Sequence, residues 1–203
     1  AGAVSLFVKD TVSLSKFKKK IVVFGNTKFK KKFLKNYKNL SFKKYFFKSS
    51  SNSYLEKFKK YELREKSNLI EIHNRPDYID KLYQINDNLI LYFHNNPNDM
   101  KNSDTVSKKK NLLKKTKKII FNSSWTKKQF LKGLNLNKEK MKKLLIINQC
   151  AKKSYVNFKN KKNLVIFVGR LNKSKGYDLF GNAIVQLLNK YSDWKSIVIG
   201  DEP

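Results

Sequence analysis

The sequence predicts an α/β fold built on a doubly wound parallel sheet, with helices on both of its faces. Three observations carry that expectation. Short apolar runs alternate along the chain with stretches of helical spacing, the pattern of strand–helix–strand units. One run, Leu-Val-Ile-Phe-Val at 164–168, is apolar throughout, as a strand covered on both faces must be. Two others, at 68–73 and 88–93, end alike in His73-Asn74 and His94-Asn95 with a Pro soon after, as consecutive strands of one sheet would. No repeat of solenoid period is present.

Taken in order, residues 2–17 carry a rough apolar stripe, Val4, Phe7, Val8, Val12 and Leu14, and are expected to form a helix after a short loop. Residues 21–24 read as a short strand ended by Gly25-Asn26. Residues 29–47 mix aromatics with Lys and are expected to hold a helix and then a strand near 45–47. A polar loop at 49–53 leads to a helix over 54–67 with Leu55, Phe58, Tyr61 and Leu63 inward. Residues 77–83 form the helix between the two His-terminated strands. Residues 103–117 are the next helix, started by Ser103 with Asp104 close behind. Strand 118–123 feeds a helix at 124–131 capped by Ser123 or Ser124, and 144–148 is one more strand. The polar stretch 152–162 reads as a linker. After strand 164–168, residues 177–191 place Leu179, Phe180, Ala183, Ile184, Leu187 and Leu188 at helical spacing, and a last strand ends at Gly200.

Composition narrows the function. The chain has 203 residues, 40% of them hydrophobic, enough for one ordinary domain and part of another. Its formal charge is +31, and all but three of the 46 basic residues are Lys, the Arg being Arg64, Arg75 and Arg170. Nucleic-acid readers lean on the guanidinium fork. Lys spread over nearly the whole chain reads instead as a general residue bias, with a polyanion-binding surface or a basic face against an anionic membrane left open. The single cysteine, Cys150, excludes an internal disulfide, fits a reducing compartment and reads as a small packed residue. No apolar run is long enough to span a membrane as a helix.

The densest signal lies at 164–176. Gly169 lets the chain turn at the carboxyl end of a strand, where open α/β sheets bind ligands. Arg170, Lys173 and Lys175 bring positive charge there, and Gly176 opens a helix. Cations at a helix N-terminus suit phosphates.

The wording of this stretch is more specific than its chemistry. Val168-Gly-Arg-Leu, Lys175-Gly176, Asp178-Leu-Phe and Ala183 resemble the donor-site segment of the family 4 (group 1) glycosyltransferases, of the GT-B fold and the bacterial surface-polysaccharide type. The stretch 194–201 resembles the next strand of that family's second domain, and the turns after 68–73 and 88–93 resemble its N-terminal domain. The likeness is strongest over 68–148 and 164–203 and slight over 26–67. Where the family commonly continues Asn-Gly-apolar-Asp, this chain has Asn148-Gln149-Cys150-Ala151, a departure from the pattern.

The resemblance implies a GT-B-like arrangement: a Rossmann-like, acceptor-side domain over 1–158 and the start of a second, nucleotide-sugar-binding domain over 159–203. It further implies a piece truncated at both ends, lacking the first strand and the family's donor-contacting glutamates. By the same resemblance, Arg170, Lys175 and Gly176 bind the diphosphate of a nucleotide-sugar, and Gly2 is the remnant of a loop facing the donor. His94 would stand at the reaction centre, with His73, Asn74, Arg75 and Asn95 on the acceptor side. The expected activity is retaining glycosyl transfer to a glycan or lipid-linked acceptor in cell-envelope synthesis, in the cytoplasm or against the inner face of the membrane. No Asp-x-Asp metal pair stands out, so metal-independent catalysis is expected, with Arg as a fork and Lys as a point charge neutralising the leaving group. No cofactor is expected besides the donor. Two other readings stand beside it: a basic nucleic-acid-binding α/β protein, supported by charge alone, and a non-catalytic relative of GT-B fold.

Overall fold

Every strand pairing among the described residues is parallel. The computed structural model describes residues 2–30, 32–41, 50–149, 155, 159 and 161–201. The strand expected near 45–47, Cys150, Ala1 and most of the 152–162 linker lie outside them. The chain divides into two compact units, Ala1–Ala151 and Lys152–Pro203.

The first unit is organised by a four-stranded sheet: β3 (Ile70–His73), β4 (Leu89–Phe93), β5 (Lys118–Phe121) and β6 (Leu144–Ile146), side by side in that order. The register puts Ile72 against Leu91, Leu91 against Ile119 and Ile119 against Leu144 on one face. That face is the core. Leu89, Leu91, Phe93, Ile119 and Phe121 are fully buried there against Leu55 and Phe58 of α2 (Ser50–Glu65), Ile79 and Leu82 of α3 (Ile79–Tyr83), Leu112 and Leu113 of α4 (Val106–Lys115) and Phe130 of α5 (Ser124–Leu131). On the opposite face, Phe7 of α1 (Ala3–Leu14) packs edge-on against Tyr92. Helices therefore lie on both faces, and the parallel α/β, Rossmann-like architecture expected from the sequence is present. Among the described residues the strands of this sheet lie in the order in which they follow along the chain.

Local readings differ at several points. The described residues between 26 and 41 hold no helix; they carry instead β2 (Tyr37–Asn39), paired with β1 (Val23–Gly25) in a separate two-stranded sheet. Aromatic and basic residues alternate there without the spacing that would bury one helical face. The expected loop at 49–53 is in part the first turn of α2. Within α2, Glu62 rather than Leu63 faces inward: Leu63 is 58% exposed and Glu62 is 2% exposed. The Glu62 carboxylate accepts from Ser67 N–H, Ser67 Oγ and Asn86 Nδ2, so burial is offset by three donors. Helix α4 starts three residues later than expected, because Thr105 caps the Lys108 N–H while buried Ser103 donates to the Pro97 carbonyl. Ser123 caps α5 as read from the sequence. A short helix, α6 (Lys138–Met141), precedes β6.

Lysines carry much of the carbonyl capping. Lys109, only 3% exposed, donates to Gln129 and Lys132 carbonyls at the end of α5. Lys143 does the same to Leu113 and Thr116 at the end of α4. Burial, and then the charge of Lys132, depress the Lys109 pKa.

The second unit holds β7 (Leu164–Val168), α7 (Tyr177–Lys190) and β8 (Lys195–Ile199), with β7 and β8 paired in parallel. Strand β7 is covered on one face, not two. Phe167 packs against Tyr177 and Phe180, with ring centroids 5.4 and 5.1 Å apart. On the other face Ile166 and Val168, beside Ile197 and Ile199, stay 44 to 73% exposed. Among the described residues of this unit α7 is the one α-helix and it shields one face, which is why an all-apolar strand is half open.

Candidate functional site

The carboxyl ends of β3 and β4 bring the two histidines together. The sheet register sets His73 beside Tyr92, and His94 follows β4 by one residue. His73 Nδ1 lies 2.9 Å from His94 Nε2. The other nitrogen of His73, Nε2, is 2.9 Å from Glu71 Oε1, and the other nitrogen of His94, Nδ1, contacts Gln149 Nε2. Two histidines at consecutive strand ends are expected to point into one crevice; they touch each other directly, but only His73 reaches a cleft.

His94 is fixed from every side. Its N–H donates to Asn74 Oδ1 at 2.7 Å, and its carbonyl accepts from Asn122 Nδ2 at 2.8 Å. Asn74 takes a left-handed backbone, φ 52°, to reach it, a conformation Asn tolerates better than most residues. The His94 ring stacks on Tyr92 with centroids 4.3 Å apart and meets the edge of Phe7 at 5.1 Å. Tyr92 donates in turn to the Ile147 carbonyl. The ring is 8% exposed, and burial, then the charge of His73, push its pKa down to about 4. His94 is thus a neutral, buried ring at neutral pH, lying under the surface with both nitrogens engaged.

Above it opens a cleft of about 750 Å³ lined by Val4, Ser51, Asn52, residues 73–77, Asn95 and residues 99–101. All four residues expected on the acceptor side, His73, Asn74, Arg75 and Asn95, line this one cleft. Its wall is mostly polar, with Asp77 and Asp99 beside Arg75 and Lys101. His94 does not line it. Gly2 caps the N-terminus of α1, its carbonyl accepting from Ser5 and Leu6, and it too stays off the wall, although Val4 of the same helix is part of it. Glu71, Gln149, Asn122 and Phe7 were not legible as site residues, since each is joined to the histidines only by the folded sheet.

The second unit carries the turn on which the diphosphate-binding residues were expected. Gly169 N–H donates to Ile199 and Leu171 N–H to Asp201, which holds the turn against the end of β8. Gly200 makes that approach possible: a Cβ there would stand 1.8 Å from the Gly169 carbonyl oxygen. Gly176 takes φ 73° and caps α7, with its N–H on Lys173. Arg170, Lys173 and Lys175 lie on this turn and are exposed. Among the described residues no carboxylate pairs with any of them. The turn therefore presents cations that no carboxylate pairs among the described residues, beside a helix whose first turn carries the acidic Asp178.

Among the described residues no group of three or more His, Cys, Asp or Glu is placed to hold a metal ion, and no helix is long and apolar enough to cross a membrane. No curated protein matches the chain. Residues 148–203, the stretch that contains β7, the cationic turn, α7 and β8, match the family described as glycosyl transferases, group 1.

Proposed function

We propose that the protein is a glycosyltransferase that moves a sugar from a nucleotide-diphosphate donor to a glycan or lipid-linked acceptor in cell-envelope synthesis. The observation that carries the reading is the turn between β7 and α7, where Arg170 and Lys175, unpaired with any carboxylate among the described residues, precede the left-handed Gly176 inside the segment that matches the family. As the glycosidic bond breaks, negative charge grows on the diphosphate. Arg170 offers a planar fork of donors, Lys175 a point charge, and α7 the positive end of its dipole, so the leaving group is stabilised as it forms without a metal. The anomeric configuration is retained, as the family likeness implies.

The polar cleft at the ends of β3 and β4 takes the acceptor. Asn52, Asn95, Arg75, Asp77 and Asp99 offer donors and acceptors suited to hydroxyl groups. His94 acts from beneath: it fixes His73, which does line the cleft. Gly2 acts through α1, the helix that carries Val4 to the cleft wall. The exposed lysines supply a peripheral attraction to an anionic membrane carrying lipid-linked acceptors, at the cytoplasmic face.

Calorimetric titration of the chain with UDP- and GDP-sugars tests this. Saturable binding of one of them, weakened at least tenfold by Arg170→Ala and not competed by RNA homopolymer, is the expected result. Equal binding by the variant, or complete competition by the polymer at moderate salt, would replace glycosyl transfer with general polyanion binding.

A further inference from the structure

Glu71 and Gln149 stand at the two ends of a hydrogen-bonded line, Glu71–His73–His94–Gln149, whose members come from β3, the end of β4 and the segment after β6. An ionised carboxylate only accepts, so His73 Nε2 must carry a hydrogen toward Glu71. In a neutral ring that leaves His73 Nδ1 as a lone pair, and His94 Nε2 must then donate to it. His94 Nδ1 is in consequence a lone pair, and the group facing it must be a donor. The atom found there is the amide nitrogen of Gln149. The two ends, one an obligate acceptor and one a placed donor, agree on a single direction.

We propose that Glu71 and Gln149 are positioning residues that lock both histidines as their Nε2–H tautomers and keep the pair neutral. The lock has a chemical consequence at its exposed end. A group that displaces Gln149 meets a lone pair on His94 Nδ1, so this position takes a hydroxyl or amide donor and repels a carboxylate or phosphate. A proton added to the pair would require N–H at both outer nitrogens, and Gln149 would have to reverse its amide to accept. Among the described residues the groups that face the pair include Glu71 from β3, the Tyr92 phenol from β4, which donates to Ile147, and uncharged Phe7 from α1 and Gln149 from the segment after β6.

The assignment does not depend on the glycosyl-transfer reading, because it is tested on the unliganded chain. His73 and His94 are the two histidines of the sequence, so a long-range 15N–1H spectrum of the imidazoles contains this pair and nothing else. Near neutral pH both rings should show the Nε2–H pattern. Gln149→Glu puts an acceptor at each end, so that the outer nitrogens both need hydrogens and the inner contact needs a further proton. The His94 titration midpoint should then rise from about 4 toward neutrality, with an Nδ1–H signal appearing. Glu71→Gln, whose amide can donate or accept, should give a mixture of tautomers with an unchanged amide fingerprint. Nδ1–H rings in the unaltered chain, or a midpoint unmoved in Gln149→Glu, would overturn the proposal. Gln149 is exposed, so that variant keeps the test open even if Glu71→Gln disturbs the fold.

Discussion

The two regions that carry the chemistry are built in opposite ways. At the ends of β3 and β4 the histidines are taken up by their neighbours: His94 alone is held through its N–H, its carbonyl and both ring nitrogens. At the turn after β7 the backbone is held by the neighbouring strand, but Arg170, Lys173 and Lys175 have no carboxylate partner among the described residues. Closed polar networks stabilise and orient; unpaired cations stabilise nothing until an anion arrives. Substitutions in the first region should therefore be felt in folding, and substitutions of the cations in the second only in binding.

The sharpest way to break that contrast is to attack the backbone of the open region. Gly200→Ala pushes a methyl into the Gly169 carbonyl. It should cost about 3 kcal/mol or more and abolish the hydrogen-exchange protection of the Gly169 amide, which otherwise donates to Ile199. Retained protection would show that the close approach is not needed. A second closed polar network lies at the amino ends of β3 and β4, where Glu62→Ala strands the donors of Ser67 and Asn86. A loss of about 3 kcal/mol is expected by urea unfolding, with nucleotide-sugar binding intact.

Of the two regions, acid should act on the closed one. The folded His94 binds its proton less well than an unfolded histidine, so below the unfolded value of 6.5 the unfolded chain takes up more protons. Stability should fall as pH drops from about 6.5 to about 4, by about 3 kcal/mol at most, and a His94→Asn variant should lack this part of the slope. The smallest effect separates the regions most cleanly: Arg170→Ala should change unfolding free energy by less than about 0.5 kcal/mol.

The sequence was informative where one pattern decided the outcome. Apolar runs placed β3, β4, β5, β6 and β7, and the matched His-Asn endings brought His73 and His94 to one spot. It was silent where long-range partners decide. Leu63 has the better apolar side chain, yet Glu62 is buried because Ser67 and Asn86 converge on it. Gln149 sits 55 residues from His94, in a tetrad that departs from the family pattern, and nothing local marks it. The continuous apolar run of β7 signalled a strand correctly but overstated its cover, because a run of apolar residues cannot say how many helices will shield it. The charge of +31 also divides once structure is known: Lys109 and Lys143 are spent on helix carbonyls, while Arg170 and Lys175 are not.

The most direct measurement is 31P NMR of a nucleoside diphosphate added to the protein at moderate salt. A group seated on the turn after β7 predicts a saturable shift of the β-phosphorus that disappears in Arg170→Ala and shrinks in Lys175→Ala. A β-phosphorus that does not move, or that moves equally in both variants, would contradict a diphosphate site at this turn.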